Sequence, residues 1–392
     1  MVLKNSLAPL GYRLSGVYEM CTMYAYDGYK LICEVTWDPE IVPSGKVHVI
    51  NHIGTKCPYM PYITREGDQY TVRKYDLDLF LETRCLPKSR VDIERRLRFL
   101  NIDKFNLYDI CKKTYGRMYS DYVWLRFDDK PDFKGMDIFM NERYRDSYMM
   151  GETGDQRKSW KSDILFKYDT ELGESSKEVS ASRIAAAFDL NHVHYARFRQ
   201  GADKPVWYCT CASYLPNYAS SISFDKIITY YDGWSLIGNN TSAKVLYSKV
   251  SNWVHEFTGL PLQYIKAQIM NTLVFDFLIA NEDRHLNNFE VIKYEKGYDL
   301  APIYDNGNAF FGIDRVTSVA QIKSLSQKFK SKPFSTNQFK NLINLEDAQA
   351  IANSFLEKAT AKYEDISSIP GVLEGHSKIL KYRMKELLNK GV

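Results

Sequence analysis

The chain has 392 residues, 45% apolar and 26% charged, ordinary globular values that exclude a disordered chain or a fibrous repeat. Its 52 basic and 48 acidic residues leave a formal charge of +4. That is too balanced for the dense basic face that neutralises nucleic-acid phosphates, so no direct nucleic-acid binding is expected, and at about 150 residues per domain the length fits two or three folding units.

In chain order, residues 29–35 and 46–50 read as strands, separated by the breaker segment Asp38 to Gly45. Between Asp76 and Ile110 the period becomes helical, with Ile93, Leu97 and Leu100 at i, i+4 and i+7. Arg84, Lys88, Arg90, Arg95, Arg96 and Arg98 crowd this stretch, either as a solvated face or as a dock for an acidic partner. Around residues 130–160 the texture turns charged and glycine-bearing, which places a boundary near residue 145 followed by a flexible loop. Beyond it, Lys161 to Asp169 reads as a short strand. Ser175 to Phe188 reads as a helix with Ala181, Ile184 and Phe188 on one face, and Val206 to Ala212 as another strand. From Ser242 helices dominate, with one apolar stripe through Leu246, Val250, Trp253 and Phe257 and a longer one through Leu262, Ile265, Ile269, Leu273 and Phe277. Segments Leu342 to Lys358 and Ser377 to Lys390 close the chain as helices. A strand-rich lobe feeding a helix-rich lobe is an α+β arrangement.

No secretory leader or membrane span is expected, because the first residues hold no sustained apolar run and the longest one, Thr272 to Ala280, is interrupted by Asp276. Seven scattered cysteines fit free thiols in a reducing cytoplasm, the expected location. The one close pair, Cys209 and Cys211, reads as core or as half of a metal site with no second pair at finger spacing.

The informative stretch is Asn281 to Asp305. It follows the long apolar helix and places Asn281 to His285 in a loop, where function often sits. Two β-like runs then follow, 289–294 and 298–304, joined by Glu295, Lys296 and Gly297. Pairing Tyr294 with Tyr298 would set Asn288 opposite Tyr304 and bring Asn288 and Asp305 together at the open end, about 5 to 7 Å apart. An amide and a carboxylate so held suit Mg²⁺, which takes one or two protein oxygens and completes its shell with water and phosphate. Asp283 precedes Asn288 by five residues, so the order Asp, Asn, then Asp after a hairpin matches the catalytic and metal-binding positions of kinases.

These residues carry a resemblance. Asp283-Arg284-His285-x-x-Asn288 followed by Ala301 to Gly307 resembles the HipA-like protein kinases, bacterial enzymes that include toxin kinases. The Asp-Arg-His element is also similar to that of phosphoinositide 3-kinases. Gly154 to Trp160, Leu165-Phe166-Lys167, Lys177-Glu178-Val179, His192-Val193-x-Tyr195 and Ser120 to Trp124 extend the likeness, which runs from about Asp121 to the C-terminus. It implies a bilobal protein-kinase-like fold over residues 146–392, with a small lobe at about 146–215 and a large lobe at about 216–392. Residues 1–145 would form a separate α+β accessory domain. The implied activity is ATP- and Mg²⁺-dependent phosphotransfer, with a protein Ser or Thr favoured as acceptor, and the chain could be the toxin neutralised by a separate antitoxin protein.

Carried over by position, Lys167 would meet the ATP phosphates and Glu178 would orient Lys167, although Glu171 and Glu174 stand nearby. Asp283 would be the catalytic carboxylate that accepts or orients the attacking hydroxyl's proton, and Asn288 and Asp305 would hold Mg²⁺. Arg284 and His285 would steady the transferring group or fix the loop. No G-x-G-x-x-G is present, so the phosphate cradle would be built around Gly151 and Gly154. Thr153 and Ser159 are candidate acceptors of autophosphorylation, and the adenine hinge is expected around Ser213 to Leu215.

Plainer readings stand beside these. Asp283 could cap a turn, Lys167 could be a snorkelling edge-strand lysine, and His285 could be a loop histidine or a ligand in a metallohydrolase. The 29 tyrosines and 20 phenylalanines fit core and amphipathic surface better than a stacking platform for bases. Against the kinase stand two alternatives: a catalytically idle nucleotide-binding module that presents its N-terminal domain to a partner, and a small-molecule or lipid kinase.

Overall fold

A computed structural model describes residues 20–28, 30–38, 40–52, 63–66, 69–127, 156–170, 173–201, 205–232, 243–316, 318–329 and 345–389. The boundary expected near residue 145, together with Gly151, Thr153, Gly154 and Glu171, lies outside the described residues.

The N-terminal part builds an antiparallel sheet from β1 (Cys21–Asp27), β2 (Lys30–Trp37), β3 (Lys46–His52), β4 (Thr64–Glu66), β5 (Gln69–Arg73) and β6 (Val123–Phe127), in the order β4-β5-β3-β2-β1-β6. Three helices follow β5: α1 (Lys74–Thr83), α2 (Ile93–Phe99) and α3 (Leu107–Thr114). Val35, Trp37, Leu77, Leu81, Leu97 and Ile110 join sheet and helices in one core. Asn106 starts α3 by accepting the backbone N–H groups of Tyr108 and Asp109, and the helix ends at Tyr115 and Gly116, both with positive φ. The arginine-rich stretch is neither wholly a solvated face nor wholly a dock. Lys88, Arg95 and Arg98 are exposed, whereas Arg84, Arg90 and Arg96 are buried. Arg84 forks onto Asp121 at 2.7 and 2.8 Å and also donates to the carbonyls of Gly116 and Val123.

A second sheet, in the order β7-β8-β10-β9, comprises β7 (Lys158–Lys161), β8 (Ile164–Tyr168), β9 (Ala196–Gln200) and β10 (Val206–Ala212). Helix α4 (Glu174–Ala187) packs on it, with Leu165, Val179, Val193, Tyr195, Cys209 and Cys211 between. Both cysteines of the close pair therefore belong to a core, and burial pushes their thiols up. The segment expected as a flexible loop up to Trp160 ends instead in β7, because residues 158–161 pair with 164–167.

The third sheet, β11 (Ser220–Ser223), β12 (Glu290–Tyr294) and β13 (Gly297–Leu300), lies among α5 (Phe224–Asp232), α6 (Ala243–Thr258), α7 (Leu262–Leu278), α8 (Val319–Lys328), α9 (Leu345–Thr360) and α10 (Glu374–Asn389). The apolar stripes of α6 and α7 are buried as their spacing predicts, with Val250, Ile265, Ile269 and Leu273 in the largest core. The β12–β13 hairpin differs from the expected register by one residue. Tyr294 pairs with Gly297 and Lys293 with Tyr298, so the loop is the two residues Glu295 and Lys296, closed by Gly297 at φ +108°. The ladder stops at Val291 and Leu300, leaving Asn288 in a 3-10 turn before β12 and Asp305 beyond β13. The hairpin alone therefore does not join them.

Candidate active site

Lys167 stands on β8, and the pleat turns its side chain to the sheet face covered by α4. It is 3% exposed, and its ammonium bonds Glu178 on α4 and Asp305 from the helical lobe, the latter at 2.7 Å. Of the three candidate acids, Glu178 is thus the partner, while Glu174 accepts from the backbone and hydroxyl of Thr170. The second oxygen of Glu178 accepts the backbone N–H of Asn306 at 2.8 Å, so one carboxylate grips both lobes. Burial works against a charged Lys167, but Asp305 and Glu178 outweigh it and hold its pKa well above the usual value. Burial likewise opposes an ionised Asp305, yet Lys167, then Lys158, hold its carboxyl well below the usual range. Asp305 adopts φ +60°, the left-handed region, which aims its carboxylate back toward β8 while a third of the side chain stays open to solvent.

What replaces the hairpin in uniting Asn288 and Asp305 is Arg284. Fully buried, it donates to both oxygens of Asp276 on α7 at 3.0 and 3.2 Å, to the carbonyl oxygens of Asn288 (3.3 Å) and Tyr304 (2.6 Å), and to Oδ1 of Asn306 (2.6 Å). One guanidinium thus pins both segments that flank the hairpin. Burial pushes the Asp276 carboxyl up and Arg284 opposes that, while Asp276 raises the pKa of Arg284 despite burial. Asn281 also donates to Asp276, at 3.0 Å. Of the two roles open to Arg284, this placement is loop fixing.

Asp283 is held by its surroundings rather than buried. Its backbone N–H reaches Asn281 Oδ1 at 3.3 Å, its carbonyl accepts from Asn288 Nδ2 at 3.1 Å, and its carboxylate accepts from Asn308 Nδ2 at 3.0 Å. His285 donates its backbone N–H to the Asp283 carbonyl at 3.0 Å, and its ring Nδ1 is buried without a hydrogen bond. Burial raises the Asp225 carboxyl of α5, and the neighbouring His285 opposes that. Ser159 sits in β7 opposite Phe166, on the sheet face turned away from Lys167. Ser213 to Leu215 connects β10 to the helical lobe. There the Ser213 N–H is taken by the Asp163 carbonyl at 2.7 Å, and the Tyr214 ring stacks on Tyr304 with centroids 5.4 Å apart.

Three participants were given no individual role by the sequence reading. Lys158 lies directly across from Lys167, and the cross-strand rule that places it there needed the β7 assignment. Asp276 was noted only as a charge interrupting an apolar run, although an acid in the apolar last turn of a helix is itself a signal for a buried partner. Asn306, beside Asp305, carries both a lobe-crossing backbone bond and an Arg284 contact.

The two lobes, the lysine between two acids and the loop following α7 define the class: the fold is the bilobal α+β fold of HipA-like kinases. The chain matches the HipA-like C-terminal domain over residues 147–365, more than half its length, and belongs to that family. Among solved structures it is similar to a chain of the Shewanella oneidensis MR-1 toxin–antitoxin complex of HipA, HipB and operator DNA, with a TM-score of 0.52 and 12% identity over 95% of this chain and 100% of that one. It also matches the Helicobacter pylori proinflammatory kinase CtkA with a TM-score of 0.45 and 16% identity, over 61% of this chain and 89% of that one. No curated protein matches the sequence. Among the described residues, no helix is long and apolar enough to cross a membrane.

Proposed function

We propose that this chain is an ATP- and Mg²⁺-dependent phosphotransferase acting on a Ser or Thr hydroxyl of a protein, and the toxin partner of a separate antitoxin. The observation that carries the reading is the buried Lys167 ammonium shared by Glu178 and Asp305, a bridge between lobes that keeps a cation and an anion charged in one cleft. Such a pair costs desolvation and is characteristic of a phosphate-gripping site. Membership of the HipA-like family supports the same chemistry, and the choice of a protein acceptor rests on the resemblance. The antitoxin proposal follows the neighbour whose complex contains HipB.

The residues present fit the metal. Asp305 is kept ionised and partly open, and the amide nitrogen of Asn288 is engaged by the Asp283 carbonyl, which leaves its hard amide oxygen as the end available to a cation. Asn288 and Asp305 would hold Mg²⁺, which when bound would offset charge on the phosphates. Lys167 would neutralise phosphate oxygens, held in line by Glu178. Asp283, oriented through its backbone by Asn281 and through its carboxylate by Asn308, would accept the proton leaving the acceptor hydroxyl.

Transfer of labelled phosphate from ATP is the test. Asp283→Ala is expected to lower the transfer rate by about 100-fold or more, with ATP still bound. Undiminished transfer by that variant would remove Asp283 from its role.

A further inference from the structure

Residues Tyr119 to Val123 lie where the two lobes meet; Ser120 to Val123 were singled out in the sequence only as part of a resemblance, and Tyr119 not at all. The Tyr119 ring stacks on Trp160 of β7, centroids 3.5 Å apart and planes 11° from parallel. The next residue faces the other lobe: the Ser120 carbonyl accepts the Ser221 N–H of β11 at 2.7 Å. The Tyr122 hydroxyl accepts the Tyr218 N–H at 2.8 Å, and Val123 is buried in the core of the helical lobe. Asp121 between them is fixed by Arg84. Neighbouring residues of one segment are thus fastened to different lobes.

The small lobe has a second fastening. Arg90 and Arg96 both donate to the backbone carbonyl of Lys158, at 3.3 and 3.2 Å. Each is almost wholly buried and held by Asp92, Arg90 at 2.7 Å and Arg96 at 3.2 Å. Among the described residues β7 is a four-residue edge strand whose one sheet neighbour is β8, and such a strand frays when nothing supports its other side. Here two guanidiniums support that side at residue 158, and an aromatic ring packs on the side chain of residue 160. The strand so held carries Lys158 beside Lys167, and its charge reaches Asp305.

We propose that the N-terminal sheet-and-helix unit is an interlobe brace in which Arg90, Arg96 and Tyr119 are positioning residues, fixing β7 so that Lys158 adds a second cation for the phosphates of a nucleoside triphosphate. This deepens the phosphotransferase reading and rests on it for the identity of the ligand. The brace fixes one lobe through β7 and the other through Ser120 and Tyr122, so it also limits how far the cleft opens.

The full-length chain is compared with Arg90→Lys/Arg96→Lys and, separately, Trp160→Leu. Lysines keep both positive charges beside Asp92 but lack the planar fork needed to hold Asp92 and the Lys158 carbonyl together. Trp160→Leu removes the stack from the small-lobe side and leaves the N-terminal core intact. Hydrogen exchange of amides 158–168 is expected to speed by about tenfold in both, with exchange in α7 unchanged. The KM for ATP is expected to rise by about fivefold while kcat at saturating ATP stays within about twofold. Unchanged exchange in β7 and β8 overturns the brace, as does acceleration spread equally over the chain, which would mark plain destabilisation. Faster exchange with an unchanged KM overturns the phosphate role of Lys158. If the unmodified chain neither binds ATP nor transfers phosphate, the phosphotransferase reading falls, and the exchange data still decide the brace.

Discussion

Replacing Arg284 with Leu removes the cation paired with Asp276, and both side chains have no exposed surface. Breaking a buried ion pair by deleting one partner costs about 3 to 5 kcal/mol, because the remaining charge has neither solvent nor counter-ion. Arg284 also serves the carbonyls of Asn288 and Tyr304 and the Asn306 amide oxygen, each left unsatisfied at a cost of about 1 to 3 kcal/mol if water does not enter. With the smaller figure for each of the three acceptors, because solvent reaches the loop, Arg284→Leu is expected to lose about 6 to 8 kcal/mol in urea unfolding at pH 7. Adding Asp276→Leu removes the stranded carboxylate and should restore at least about 2 kcal/mol, while the carbonyl penalties persist. The pH dependence has a definite sign. Without Arg284 the Asp276 carboxyl titrates above its unfolded value of about 3.9, so its contribution is favourable below that value and lost as pH rises through the folded pKa. The deficit of Arg284→Leu against the parent should therefore shrink between pH 7 and pH 5. Urea midpoints for the four chains of the cycle at both pH values decide the matter. A single-variant loss below about 1 kcal/mol, or a coupling near zero, would show that Arg284 does not pin the loop.

Two further outcomes are expected. Lys167→Met should abolish phosphate transfer and lower stability at neutral pH. Because Lys167 holds the Asp305 pKa down, the stability it confers is present above the unfolded carboxylate value of about 3.9 and is lost as pH falls through the lower folded value. Urea midpoints of parent and variant should therefore converge toward pH 2, and a gap independent of pH would contradict the pairing. Gly116→Ala places a Cβ 2.6 Å from Leu125 Cδ1 at a residue with φ +53°. The expected loss is about 1 to 3 kcal/mol, read as a lower thermal midpoint with unchanged KM for ATP; a midpoint within about a degree of the parent would show that the turn relaxes freely.

Local regularities made much of this molecule readable. Ile265, Ile269 and Leu273 recur at the period that a buried helix face requires, and residues 206–212 form a strand because β-branched and aromatic residues cluster there. The order Asp283, Asn288, Asp305 was visible as residue types at spacings, while Lys167 came only with the family resemblance. The means by which they meet was hidden, because Arg284 reaches partners 8, 20 and 22 residues away and no local pattern encodes such a contact. The hairpin slip has a nearer cause. Three loop residues and two were equally compatible with Glu295-Lys296-Gly297, and the choice falls to Gly297, whose positive φ allows it to pair as the first residue of β13. β7 was obscured because lysine, serine and tryptophan form a strand there only with β8 on one side and the arginine pair on the other.

The stacked rings of Tyr119 and Trp160, and the share of the large core taken by Ile32 and Val123, bear on how this protein can be divided. A fragment trimmed to the matched family region would carry a bared indole, an orphaned amide at Ser221 and an apolar notch where two side chains had been. Such a fragment is prone to self-association. In this chain, catalytic half and leading half are therefore better regarded as one inheritance unit, to be expressed, exchanged between relatives or labelled together.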